Sequence, residues 1–498
     1  MDETSVPRAR LGLWLATSLL AGGVILVLEM LAFRLYAPYF GYSIYVWGNM
    51  ICVVMVALVI GYALGGWLAD RSRDDGPLYW LVLFSGLYQL GLLFTVHGLL
   101  EKLTVQGEIM GSILATLIIF TPPMVALATV GPYLIRLLAR EGQIGTTAGR
   151  IYALSTVGSI IGIMLTTFYL VPKMGTQMTL NIACGTTLLV AIAGLASRRR
   201  SAAALILVLA VLPFAPPAAW AKDTLYSDES AYNLIRVVQR GERTALILNS
   251  ITSAQTIKVE GSAFTGYYFD DFALGPLLVP ARRALVLGMG AGSSISATRL
   301  TAPAIEFDAV EIDPKVVEVA EEFFDLPRDA PWLKVYVADA RPWLMAQPGK
   351  YDIVQMDLYQ GGTYIPFYLA TRECFALVRR HMNDTGLLMM NVADPSPDQE
   401  LLEAIAKTLS QEFASVFVLR RDHGSRMVLA FASRVELKAL IERLSLAGGS
   451  EEIRKFVAGA IPGIAPFEAE ADTPVLTDDL SPLEEITRKA QANSGINK

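Results

Sequence analysis

The chain has 498 residues, 53% of them hydrophobic and only 18% charged, with a net charge of −6. That length exceeds one ordinary domain, and that apolar content is too high for a soluble protein of this size. Charge is unevenly divided: residues 1–221 hold 13 basic and 9 acidic side chains, residues 222–498 hold 28 and 38. Two units of different material are therefore expected, and the acidic one lacks the basic face that a nucleic-acid partner requires.

In the first unit, runs at 11–32, 44–69, 78–100, 109–138, 151–171, 178–196 and 202–221 are apolar enough to cross ~30 Å of hydrocarbon. Seven membrane helices are expected. Gly22, Gly23, Gly61, Gly65, Gly158 and Gly162 put small residues on helix faces, which permits close helix packing. Pro122 and Pro123 remove two N–H donors from the fourth run and should kink it. Glu29 is the one carboxylate well inside a span. It reads either as a functional group or as a structural partner of a neighbouring helix or of Arg34.

Loop charges give an orientation. Arg8, Arg10, Arg71, Arg73, Arg136, Arg140, Arg150 and Arg198 to Arg200 fall on one side, against Arg34, Lys102 and Lys173 on the other. This bias places the N-terminus in the cytoplasm, in a cell (inner) membrane. Seven crossings would leave the second unit outside. The run 202–221 is interrupted by Pro213, Pro216 and Pro217, so it either crosses or packs without crossing, and the side of the second unit follows from that choice.

Cys52, Cys184 and Cys374 are too few for a disulfide framework, and His97, His381 and His423 are too dispersed for a metal centre. No metal is expected.

The second unit alternates short strands and helices. A strand from Ala284 runs into a turn containing Gly288, Gly290 and Gly292, and a helix is expected from Ser293 to about Leu300. Such glycines let a backbone approach a ligand, and the helix start offers free N–H groups. Three further strands end in acids, at Glu311, Asp339 and Asp357. Ligands of open parallel sheets bind beyond these carboxyl ends, where an acid about 20 residues past the glycines can accept ribose hydroxyls. Each acid alone reads equally well as a helix cap; four consecutive strands closing in glycine or acid point to a nucleoside. The turn lacks the wider dinucleotide spacing, and the later acids would repel a pyrophosphate. A nucleoside bearing a sulfonium suits them.

From about Asp228 to Val392 the chain resembles the polyamine aminopropyltransferases, the spermidine-synthase family, which share the class I methyltransferase fold. Residues 23–29, 61–71 and 474–484 resemble the membrane-fused branch of that family. The resemblance implies an N-terminal all-α polytopic membrane bundle (1–221), a small β-hairpin subdomain (222–280), an α/β Rossmann-like methyltransferase-type domain (281–435) and a helical tail (436–498). It implies that Glu311 holds the ribose, that Asp339 and Ala340 face the adenine, and that Gln255 contacts the nucleoside alongside Gly288, Gly290 and Gly292. Asp357 matches the first acid of the catalytic Asp-x-x-Asp loop, with Tyr359 beside it, and Tyr232 fits a Glu-x-x-Tyr element beginning at Glu229. Three positions depart from the family: Ala291 replaces an acid in the glycine turn, Gln360 is the second loop position, and Tyr268-Phe269-Asp270 stands for Tyr-His-Glu. Asp270 is expected to supply part of the missing charge.

Three functions follow from these expectations. One is transfer of an aminopropyl or related alkyl group from decarboxylated S-adenosylmethionine to an amine. The second is methyl transfer from, or cleavage of, ordinary S-adenosylmethionine. The third is a degenerate nucleoside-sensing or scaffold domain. The implied partners are a small-molecule amine or other nucleophile and a lipid bilayer, with a homodimer compatible and no nucleic acid.

Overall fold

The computed structural model describes residues 7–72, 74–139, 143–197, 223–251, 253–394, 396–421 and 424–493. The chain divides into two compact units, Met1–Ala221 with Glu229–Ala231, and Lys222–Asp228 with Tyr232–Lys498.

Among the described residues of the first unit, five helices are long and apolar enough to cross a membrane: α1 (Arg8–Phe40), α2 (Ile44–Arg71), α3 (Gly76–Gln106), α4 (Glu108–Leu138) and α5 (Ile144–Ala196). The runs expected at 151–171 and 178–196 are the two arms of the 53-residue α5, and the run expected at 202–221 lies outside the described residues, as do Arg73, Arg140 and Arg198 to Arg200. A straight helix of that length would reach ~80 Å. At Gly175 the backbone leaves helical geometry (φ 76°, ψ 173°), so the arms diverge, and both pack against α1. The first arm lies so close to α1 that a Cβ on Gly158 would fall 1.8 Å from the Leu19 carbonyl oxygen.

The expected kink at Pro122 and Pro123 takes the form of a π-helical turn, Thr116–Phe120, just before them. A wider turn reroutes the ladder that the missing N–H groups interrupt. Buried Asp75, between α2 and α3, is neutralised by Arg10 (2.6 and 2.9 Å) and by the Trp14 indole (2.7 Å). Glu29 is half-buried in α1, and no ion pair joins it to Arg34 among the described residues.

The second unit starts with an antiparallel sheet: β1 (Thr224–Glu229), β2 (Leu234–Arg240), β3 (Arg243–Leu248) and β4 (Ala254–Val259), in that spatial order. The expected hairpin subdomain is this sheet, with β1 added at one edge. An eight-stranded sheet follows: β5 (Arg283–Leu287), β6 (Glu306–Glu311), β7 (Leu333–Val337), β8 (Tyr351–Met356), β9 (Met382–Val392), β10 (Ser415–Arg420), β11 (Arg426–Phe431) and β12 (Ile464–Pro466). Its order is β12-β10-β11-β9-β8-β5-β6-β7. Strands β7, β6, β5, β8 and β9 are parallel, whereas β11, β10 and β12 pair antiparallel. This is the α/β, methyltransferase-type arrangement.

Helices α6 (Ser293–Thr301), α7 (Pro314–Phe323), α8 (Ala340–Ala346), α9 (Arg372–Arg380) and α10 (Glu400–Leu409) connect its strands. The central strands are apolar on both faces, because helices cover both sides; Ala284, Leu285, Val286 and Leu287 are all fully buried. Residues 436–493 supply α11 (Leu437–Ser445), α12 (Glu451–Ala460), the edge strand β12 and α13 (Leu483–Asn493). The expected helical tail therefore also extends the sheet. Chain order reverses between β5 and β8, which places a crevice beyond their carboxyl ends.

Candidate active site

Register brings the nominated residues together. Leu287 of β5 aligns with Val310 of β6 and with Met356 of β8, and Val310 aligns with Tyr336 of β7. The next residues on these strands or just past them are Gly288, Glu311, Asp357 and Val337. Gly288, Glu311 and Asp357 emerge at one end of the sheet, where they line a cleft of about 930 Å³ including its mouth.

Gly288 sits at φ +81°, and a Cβ there would lie 2.3 Å from the Asp357 carbonyl oxygen. Only glycine lets the turn pass so close to the β8 loop. One floor of the cleft is Glu311, whose carboxylate accepts the Gly290 N–H (3.0 Å) and the Asp313 N–H (3.1 Å). Burial overrides these two donors and pushes its pKa up to about 7. Asp339 caps α8 by accepting the Arg341 N–H (3.0 Å), and its other oxygen accepts the Tyr368 hydroxyl (3.2 Å). Gln255 reaches in from β4; its Oε1 accepts the Leu248 N–H (2.8 Å), which leaves the amide N–H₂ for a ligand. The glycine turn is tied to the same strand, since Ala291 N–H donates to the Thr256 hydroxyl (2.9 Å).

Asp357 lines the same cleft. One oxygen accepts the Tyr268 hydroxyl (3.0 Å) and the other the Asn391 side-chain N–H (3.0 Å). It is half-buried, and desolvation raises its pKa to about 6 in spite of both donors. Asn391 is placed by β9, where Met390 aligns with Met356.

Nine of the eleven nominated residues line the cleft: Gln255, Gly288, Gly290, Glu311, Asp339, Ala340, Asp357, Tyr359 and Gln360. Gly292 does not. It is the left-handed residue opening α6 (φ +87°), where a Cβ would strike Leu326. Asp270 also stands apart from the lining, with its carboxylate satisfied by the Thr265 N–H and hydroxyl and the Gly266 N–H (2.7–2.9 Å). Tyr268, two residues earlier, lines the cleft instead. The Tyr359 hydroxyl is used within the protein: it donates to the Asn391 carbonyl and accepts the Ala393 N–H (both 2.9 Å). Its contribution is to hold the β8 loop. Tyr232 and Asn233 line the cleft too, and Asn233 donates to Asp313 at the start of α7 (2.7 Å). Asn391 escaped sequence reasoning, although a lone amide in the apolar run Met389-Met390-Asn391-Val392 is a usable signal.

A family model described as spermine/spermidine synthase domain matches residues 277–420, which contain Gly288, Glu311, Asp339 and Asp357. Over that stretch the chain is similar to this family. It is 35% identical over 218 residues to a probable polyamine aminopropyl transferase of Bifidobacterium longum, a match spanning 44% of this chain and 47% of that protein. The chain thus covers about half the length of that curated relative. A polyamine aminopropyltransferase 2 of Ralstonia nicotianae is 24% identical over 412 residues, 74% of this chain and 76% of that one. That match is too long to lie within the α/β unit alone. A probable spermidine synthase from Corynebacterium glutamicum superposes at a TM-score of 0.38 and 21% identity, over 52% of this chain and 97% of that one.

Proposed function

We propose that the α/β unit moves an aminopropyl or related alkyl group from a sulfonium nucleoside to an amine. The carrying observation is the pair of carboxylates facing one cleft, buried Glu311 and half-buried Asp357, both with raised pKa values. Glu311, Asp339 and Gln255 are suited to the ribose and base, and Gly288 and Gly290 give the nucleoside room. The amine nitrogen attacks the carbon beside the sulfonium with its lone pair. A C–N bond forms, the C–S bond breaks, and its electron pair returns to sulfur as a neutral thioether. The proton shed by the new ammonium passes to Asp357, whose pKa near 6 suits a base working close to neutrality. Tyr268 and Asn391 fix the carboxylate that receives it.

Decarboxylated S-adenosylmethionine is favoured as donor because, among the described residues, no Lys, Arg or His lines the cleft. A donor carboxylate would enter without a cationic partner, at a desolvation cost. The second reading, methyl transfer from or cleavage of ordinary S-adenosylmethionine, draws on Ala291, which places no acid in the glycine turn to repel that carboxylate. The acceptor end holds one acid, Asp357, with neutral Leu358, Tyr359 and Gln360 beside it. This suits an acceptor that presents one ammonium there.

The helical unit is proposed to be a multi-pass anchor with a cytoplasmic N-terminus. Because α5 breaks at Gly175, its two arms make six crossings in all, which return the chain at Ser197 to the cytoplasmic side. A run at 202–221 that does not cross then keeps the catalytic unit with its cytosolic donor.

Replacing Asp357 with Asn tests the assignment. Turnover should fall 10²–10⁴-fold, the range for loss of a positioned base, while affinity for methylthioadenosine stays within about threefold. Unchanged turnover removes Asp357 from the chemistry.

A further inference from the structure

The segment at 474–484, singled out in the sequence, takes no direct part in the cleft, yet it reaches the cleft's wall through a continuous chain of bonds. Asp478 receives the Arg341 guanidinium in a two-pronged pair (2.8 and 2.5 Å) and the Thr371 hydroxyl (2.7 Å). The same Arg341 donates to the Tyr368 carbonyl (2.8 Å), and its own N–H is capped by Asp339. Tyr368 closes the circuit by donating its hydroxyl to Asp339 (3.2 Å). Further along, Gln491 on α13 accepts the Tyr364 hydroxyl (3.2 Å) and donates to the Thr363 hydroxyl (2.7 Å). Backbone bonds add to this, since Arg372 N–H donates to the Leu476 carbonyl (2.8 Å). Segment 363–372 thus has no helix longer than one turn of its own and is held from the C-terminal side at both ends.

We propose that the C-terminal segment is a clamp on the nucleoside wall, with Asp478 as a positioning residue that acts through Arg341 on Tyr368 and Asp339. The inference rests on the nucleoside reading of the cleft given above. A two-pronged Arg–carboxylate pair fixes direction as well as distance, so Arg341 can hold the Tyr368 carbonyl only while Asp478 holds Arg341. The pair also keeps the Asp478 carboxyl below its ordinary range. Removing that charge frees Arg341 to rotate toward solvent and releases Tyr368 from its place over Asp339. The reacting end, at Asp357, is untouched by this route.

The test uses the full chain in detergent, with methylthioadenosine as the binding probe. Asp478→Asn should weaken methylthioadenosine at least tenfold and raise KM for the donor in parallel, with kcat at saturating donor within about threefold of the parent. Asp478→Glu should recover most of the loss. Glu485→Gln, on the neighbouring exposed pair with Lys489, should match the parent. If Asp478→Asn fails to fold, Gln491→Ala loosens the other anchor and should raise the dissociation constant about threefold. Binding within twofold of the parent in the folded Asp478 or Gln491 variant overturns the clamp. A parent chain that does not bind methylthioadenosine instead overturns the nucleoside reading, and the clamp with it. A loss confined to kcat also overturns it, since it would place Asp478 on the reacting side.

Discussion

Glu311→Gln should flatten the pH dependence of stability while it abolishes nucleoside binding. The Glu311 carboxyl is buried and its pKa is raised from 4.5 to about 7. At 1.36 kcal/mol per pH unit, that gap corresponds to about 3 kcal/mol. The folded acid binds its proton more tightly than the unfolded one, so the folded state holds more protons between these values and stability falls as pH rises from about 4.5 to about 7. Asp357, raised from 3.8 to about 6, adds a similar loss over a lower window. Glutamine carries no charge, so it should remove the Glu311 share, at the cost of about one charge-assisted hydrogen bond, because one of the Gly290 and Asp313 N–H groups then faces an N–H₂. Tryptophan-fluorescence melts of the full chain in detergent at pH 5 and pH 8 measure this. The parent should lose several °C more than the variant between the two values, and methylthioadenosine should stabilise the parent alone. Equal slopes in the two proteins would refute the buried, ligand-ready carboxylate.

Tyr268→Phe removes a donor that lowers the Asp357 pKa. The acid limb of kcat/KM should move up by about one pH unit, with kcat down about tenfold; an unmoved limb would show that Tyr268 does not hold the base. Membrane topology is read by reporters fused after Lys498. Fluorescence from a cytoplasmic reporter and no activity from a periplasmic one are expected, and the reverse would mean that residues 202–221 cross.

How much was legible follows from the physics of each signal. Strand β5 is legible because a buried strand is a short apolar run leading into turn residues, and the acids at the end of β6 and just past β8, Glu311 and Asp357, mark the carboxyl ends of the sheet. Register then does the rest: a parallel sheet puts Gly288, Glu311 and Asp357 in one row without any local clue. Asp270 was misplaced because resemblance carries residue type and not direction, and in a 3-10 turn two residues separate a side chain facing Thr265 from one facing Asp357. Tyr359, expected beside Asp357 in the catalytic loop, spends its hydroxyl on Asn391 and Ala393, tertiary partners that the sequence does not display. In the helical unit, hydropathy separates the runs 151–171 and 178–196, which flank the break at Gly175, but does not assign the break to that glycine. A left-handed glycine looks the same in sequence as one that packs helices.

Amine-dependent release of methylthioadenosine from decarboxylated S-adenosylmethionine, by the purified full chain, bears most directly on the proposed transfer. The account predicts release that requires both donor and amine, is lost in Asp357→Asn, and does not occur with ordinary S-adenosylmethionine. Formation of S-adenosylhomocysteine from ordinary S-adenosylmethionine, with no turnover of the decarboxylated donor, would contradict it.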